Sequence, residues 1–223
     1  MTGTESEPTR TRGFKKKERT RRLLISAAIE EIASNGEAFT ILDVTKRADV
    51  SNGTFYNYFD DRTMLVDAVI TEVLSAFTDT SAELVTLDDP VRRFATITAL
   101  LLEHAAANPQ MATVMLRLQS TTSTDTRRAD PFRHLRHDLN EAAELGRLNR
   151  EPTDAAVDLV AGALSRAVSR IATVGATDDY RADMIRLLLE GFGLDGPEAE
   201  ALATEAVAAA PELSRAYLRA EAP

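Results

Sequence analysis

Apolar side chains recur every three to four residues along most of this chain, with proline and glycine interrupting the runs. No segment alternates convincingly with the period of two that marks a half-buried strand. The pattern predicts helices over residues 62–83, 90–107, 109–120, 131–145, 153–174, 180–192 and 197–209. Along residues 62–83, Leu65, Val69, Val73 (or Leu74) and Phe77 form one stripe. This helix leads directly out of the segment before it and is suited to transmit movement. Residues 120–126, rich in serine and threonine, read as a surface loop.

Residues 40–62, TILDVTKRADVSNGTFYNYFDDR, carry a different pattern: two short helices and a turn. Thr40 has the hydroxyl of a helix N-cap, and Asp43 sits where it favours the positive end of the helix dipole. The first helix is expected over 41–48. Ile41, Val44 and Ala48 line one side of it, and Lys46 and Arg47 are left to face outward. Asp49 and Val50 make the turn, and Ser51 caps a second helix over 52–58. A helix that short is stable only when packed against a neighbour, so both belong to a compact helical unit. Phe55 and Phe59 read as core, whereas Asn52, Thr54, Tyr56, Asn57 and Tyr58 crowd an exposed surface. A packing corner has no use for such a concentration of hydroxyl, amide and phenol groups. A surface that meets nucleic acid does.

Charge sharpens this expectation. Arg10, Arg12, Lys15, Lys16, Lys17, Arg19, Arg21 and Arg22 face the single acid Glu18 across a short stretch, the electrostatic footprint of phosphate binding. The first 62 residues hold 11 basic and 10 acidic side chains, and the rest of the chain holds 15 and 25. The overall charge of −9 therefore resides in the remainder, where it keeps that part of the molecule off phosphates. Residues 1–13 read as a disordered arm, and Lys15 to Arg22 as entering a helix. The absence of cysteine excludes disulfides, thiolate catalysis and cysteine zinc sites. The start of the chain lacks a signal peptide's apolar core and no apolar run reaches membrane-span length, so a soluble cytoplasmic protein is expected.

The spacing T-x-x-x-(V/I)-x-x-x-A-x-V-S-x-G-x-x-Y-x-Y-F resembles the signature of TetR-type transcriptional regulators. Thr40, Val44, Ala48, Val50, Ser51, Gly53, Tyr56, Tyr58 and Phe59 carry it, with Leu65 following. Upstream, Leu24, Ile25, Ala27, Ala28, Ile32 and Gly36 are similar to the first helix of the same domain, so the likeness covers roughly a quarter of the chain. Three positions depart from the pattern. Asp49 stands where glycine is usual, and aspartate tolerates left-handed turn geometry better than most residues. Arg62 replaces a usual lysine and keeps its charge, and Thr45 occupies the place of a small residue.

The resemblance implies an all-α fold. A three-helix helix-turn-helix DNA-binding domain spans residues 14–62, and a larger helical regulatory, ligand-binding and dimerisation domain spans 63–223. Thr40, Lys46, Tyr58 and Arg62 are then expected on backbone phosphates and Asn52, Thr54 and Asn57 on base edges. Gly53 permits close approach, and Tyr56 matches a DNA-contacting family position. The partners implied are a palindromic double-stranded operator, a second copy of the chain, and a small-molecule effector. Candidate dimer residues are Val160, Leu164, Val168, Ile171, Ile185, Leu188, Leu189 and Phe192, with Ala161, Gly162, Ala163 and Ala167 allowing close helix approach. Candidate lining residues for a hydrophobic ligand are Phe94, Ile97, Leu101, Met111, Met115, Leu118, Phe132 and Leu135, although core packing accounts for the same residues.

The function expected is a regulator, a repressor by family habit, released from its operator by such a ligand. The alternative is an effector-independent or partner-controlled DNA-binding protein. No enzyme, cofactor or metal is expected. His134 and His137 share a helix face near Asp130, Asp138 and Glu141, but such HxxH spacing among scattered acids usually marks a solvated surface. The pairs Glu30–Glu31 and Asp60–Asp61 read as helix surface and capping.

Overall fold

A computed structural model describes residues 12–109, 112, 132–149 and 152–220, and all regular structure among them is helical. The chain divides into two compact units at Val69 and Ile70.

In the first unit, α1 (Arg12–Asn35) carries the basic stretch into the helix and buries Leu24, Ile25, Ala27, Ala28 and Ile32 on one side. It ends in a short 3-10 turn (Gly36–Ala38), which Gly36 enters at φ +57°. Next come α2 (Ile41–Arg47), α3 (Asn52–Phe55) and the beginning of α4 (Arg62–Leu84). The core of the unit includes Phe39, Val44, Phe55, Phe59, Leu65, Val66 and Val69, all buried. Of the scaffold expected from sequence, Val44, Phe55 and Phe59 are fully enclosed, whereas Ile41, Ala48 and Val50 are half-buried.

The second unit is built on α5 (Pro90–Ala107), which packs against α6 (Arg133–Glu144), α7 (Asp154–Val174), α8 (Asp178–Gly191) and α9 (Gly196–Ala220). Phe94, Ala95 and Ala99 of α5 meet Leu139 and Ala142, Val157 and Val160, Ile185 and Leu189, and Leu202, Ala203 and Ala206 in one core. Three predicted boundaries change. The second short helix stops at Phe55, because the amides of Asn57 and Tyr58 donate to carbonyls three residues back and tighten the chain into a turn. The last helix continues past Pro211, because Ser214 and Tyr217 extend the buried stripe of Ala206, Val207 and Ala210. The Tyr217 ring lies 5.3 Å from that of Phe77. Packing there outweighs the amide and the space that proline costs a helix. Helix α6 starts at Arg133, and the predicted helix over 109–120 lies almost wholly outside the described residues.

The apolar candidates for dimer and ligand contacts are also redistributed. Val160, Ile171, Ile185, Leu188, Leu189 and Phe192 are buried within this single chain, and Leu164 and Val168 pack at the edge of its cores. The six buried ones are core residues of the single chain, whereas Leu164 and Val168 are half-buried. Phe94 packs edge-on against Phe192, and Leu101 joins the cluster of Phe77, Leu100 and Tyr217. Phe132 and Leu135 lean on the main core. Met111, Met115 and Leu118 lie outside the described residues, and Ile97 lines a cleft of the second unit. Apolar periodicity reports that a side chain avoids water, and a chain's own core satisfies that demand as well as a partner or a ligand does.

Candidate nucleic-acid interface and ligand cleft

The geometry of the first unit is fixed by its helix ends. The Thr40 hydroxyl accepts from the Asp43 amide at 3.2 Å while the Asp43 carboxylate accepts from the Thr40 amide at 3.0 Å, a reciprocal cap. The bonds that the Asp43 carboxylate accepts, from the Thr40 hydroxyl first and from the Thr40 amide second, hold it below its ordinary range. The Thr40 hydroxyl also donates to Asp43 at 2.6 Å, so both its polar groups are engaged within the cap. The turn after α2 puts Asp49 at φ +53°, the left-handed conformation expected of it. Ser51 then caps α3 by accepting from the Thr54 amide at 3.1 Å, and its hydroxyl lies 2.8 Å from that of Thr54.

Four of the residues expected to meet DNA on or beside α3 are exposed: Asn52, Gly53, Tyr56 and Asn57. Thr54 and Tyr58 are half-buried. The Tyr56 ring stands edge-on to the buried Phe55 at 5.2 Å, which fixes its direction while 53% of the residue stays accessible. A Cβ built on Gly53 would meet nothing of the fold closer than Ser51 Oγ at 3.9 Å, so the fold itself does not require glycine there. Lys46 is exposed on α2. Arg62, twenty-two residues after Thr40, places its guanidinium 4.1 Å from the ring centroid of Phe39. Folding thus brings Arg62 beside the start of α2 next to Thr40.

Arg47 faces outward as expected but is not unpartnered: its Nε donates to Glu31 at 2.6 Å and its Nη1 to Glu30 at 2.9 Å, and the two carboxylates hold its pKa above the ordinary value. Glu31 is only 5% exposed and also accepts from Asn35 at 2.7 Å, so it ties α1 to α2 from beneath the surface, while Glu30 reaches Arg47 from the exposed helix surface expected of it. Asp61 does cap, accepting from the Met64 amide at 2.8 Å. Thr45 is buried and returns its hydroxyl to the Leu42 carbonyl at 3.1 Å, which explains how a polar residue fits where a small one is usual.

Residues 24–69 match the family described as "Bacterial regulatory proteins, tetR family". Over that stretch the chain carries a TetR-type domain, and solved transcriptional regulators of that family share its fold. RolR solved in complex with resorcinol is 27% identical and aligns over 85% of this chain and 95% of its own at a TM-score of 0.64. A TetR transcriptional regulator from Rhodococcus sp. RHA1 is 19% identical, covering 86% and 96% at 0.55. FadR from Bacillus subtilis, solved with stearoyl-CoA, is 17% identical, covering 83% and 98% at 0.51. The last two support the fold alone. No curated protein matches the chain. The matched domain is that of bacterial transcriptional regulators, and among the described residues no helix is long and apolar enough to cross a membrane.

In the second unit, a cleft of about 250 Å³ is lined by Ala82, Val85, Thr86, Leu87, Arg93, Ile97, His134, His137 and Asp138. Arg93 organises its polar side: Nε donates to Asp138 at 2.7 Å, Nη1 to the Leu87 carbonyl at 2.7 Å, and Nη2 to Glu141 at 2.5 Å. Burial pushes the Asp138 carboxyl up, and Arg93 only partly offsets it. Burial also works against the Arg93 charge, but the two carboxylates outweigh it. His134 Nε2 lies 2.6 Å from Asp79, which Arg133 also reaches. The HxxH pair is therefore divided between two partners. His137, Asp138 and Glu141 have ligand atoms within 4.8 Å of one another, yet Arg93 already lies on both carboxylates, so the donor set is that of an ion-pair network. Sequence reasoning missed Arg93 and Asp138 as site residues, because ion pairs 45 positions apart leave no local pattern.

Proposed function

We propose that this protein binds a palindromic operator as a homodimer and represses transcription until a small molecule in the cleft of its second unit releases it. The observation that carries the DNA reading is the exposed surface of Asn52, Gly53, Tyr56 and Asn57 held over a buried scaffold and flanked by Lys46, Thr40 and Arg62. Asparagine amides match the donor and acceptor pair of an adenine edge, and Thr54 adds a hydroxyl at the same helix. The cations and Tyr58 supply contacts to backbone phosphates. Gly53, which the fold does not require, is explained by the close approach of a DNA backbone or base edge. Thr40 must exchange one of its bonds to Asp43 for a phosphate, so its contribution is smaller than that of Arg62.

Dimerisation is supported by the outward sides of α7 and α8, where Leu159, Val174 and Leu187 are 65%, 75% and 55% exposed, beside the small exposed Gly162 and Gly191. Large apolar groups left in water at this density favour a self-complementary interface. One four-residue recognition helix binds weakly alone, whereas two related by a two-fold axis read both halves of a palindrome. An effector is supported by the cleft and by the ligand-bound state of RolR.

Selection of bound DNA from a random pool tests this reading. A palindrome is the expected outcome; a single half-site or no enrichment would count against the dimeric mode. On the selected site, Arg62→Ala weakens binding to all sequences, while Asn52→Ala changes the preferred bases.

A further inference from the structure

The cleft carries more information than its existence, because its charges are already spent. Arg93 commits Nε and both terminal nitrogens to Asp138, Glu141 and the Leu87 carbonyl. His134 faces Asp79 through Nε2. An anionic ligand therefore finds no uncommitted arginine among the lining residues, and it meets the Asp138 carboxylate, in a residue only 4% exposed. A cationic ligand competes with Arg93, whose guanidinium already holds two carboxylates. What the lining offers instead is acceptor capacity. A carboxylate has about four lone-pair sites, and Oδ1 of Asp138 takes the Arg93 bond. His134 Nε2 is taken up by Asp79, which leaves Nδ1 as the ring nitrogen for a ligand hydroxyl. Opposite these groups stand the apolar side chains of Ala82, Val85, Leu87 and Ile97.

Volume narrows the class further. A cavity of about 150 Å³ accommodates benzene, so 250 Å³ has room for one substituted ring. We infer that the cleft binds a small uncharged ring compound bearing at least two hydroxyl groups, which donate to Asp138 and His134 while the ring lies on Val85 and Ile97. This rests on the cleft being the effector site, and it replaces the hydrophobic ligand expected from sequence with one chosen by its hydrogen-bond donors.

The test uses the full chain, with calorimetric titration and thermal melts against resorcinol, catechol, phenol, benzoate and octanoate. The diols are expected to bind and raise the melting temperature. Phenol, lacking one donor, binds about tenfold weaker, and benzoate and octanoate weaker still. Asp138→Asn weakens diol binding about tenfold, and its unliganded melt and helical circular dichroism report whether it folds. Ala82→Leu, which fills the cleft with aliphatic carbon, abolishes binding without removing a polar group. Binding of benzoate or octanoate as tight as the diols, undiminished diol binding in Ala82→Leu, or no binding by either diol overturns the inference. Operator release is measured separately. Diol binding without release would leave the ligand class standing and sink the inducer reading, whereas a selected palindrome with no diol binding does the reverse.

Discussion

The two units of this protein use the same helical vocabulary under different constraints. In the first, the proposed DNA contacts sit mostly on side chains that the fold leaves exposed, at helix ends and turns spaced a few residues apart. In the second, the cleft is assembled from α4, the segment after it, α5 and α6, and its central ion pair joins residues 45 positions apart. A site made of local geometry shows itself in a short stretch of sequence. A site made of tertiary contacts does not, because its members are ordinary helix residues until the chain folds.

The difference can be pressed by substitution, beginning with the largest expected effect. Gly193, between α8 and α9, sits at φ +92°, and a Cβ there would lie 2.7 Å from Asn149 Cβ. Gly193→Ala should destabilise the second unit by about 2–3 kcal/mol through backbone strain and that clash, read by chemical denaturation. If it melts like the parent, the tie from Asn149 to the Phe192 and Gly193 carbonyls is not rigid.

In the first unit Arg47→Ala strands the buried Glu31 carboxylate, so it should lower the melting temperature more than Glu30→Ala, which removes the more exposed acid of the pair. Equal effects would show that burial of Glu31 does not control the α1–α2 junction. Arg62→Ala should cost roughly tenfold in DNA affinity at fixed salt and reduce the salt slope by about one, with little change in base preference. A changed consensus in that variant would move Arg62 from phosphate to base.

Smaller effects belong to the caps and the turn. Asp43 has a folded pKa below its unfolded value, so its contribution to stability is present above the ordinary carboxylate range and is lost as pH falls through the lowered value. Thr40→Ala removes the main cause of that shift and should flatten the acid limb of a melting temperature against pH profile. Smallest is Asp49→Gly, expected to stabilise by about 0.5–1 kcal/mol, because glycine adopts a φ of +53° without the strain of a side chain. A loss of stability would mean that Asp49 makes a compensating contact.

Much of the first unit was legible in the sequence. Thr40 and Ser51 announce helix starts, Asp49 a left-handed turn, and Phe55 and Phe59 a core beneath a polar surface, because each follows from local rules of capping, backbone conformation and periodicity. The roles of Arg47 and Glu31 were not, since a charged residue at a helical position looks the same whether it meets water or a partner from another helix. In the second unit most helix positions were legible, whereas periodicity alone could not divide the apolar residues between core, ligand and partner. Ile185 and Leu189 have the spacing of an interface stripe and lie in the monomer core, while the accessible Leu159 and Leu187 lie on the other side of the same helices.

The sequence by itself determined that the chain is helical, where most helices begin, and that one short segment presents a polar surface of TetR type. These are consequences of hydrogen bonds and packing within a few residues. Only the tertiary structure decided which apolar stripes are spent on the chain's own core, which charges neutralise one another, and that a cleft survives beside Arg93 and Asp138. Those outcomes depend on how distant helices share space. Volume and charge balance are properties of the packed unit, and no single segment holds them.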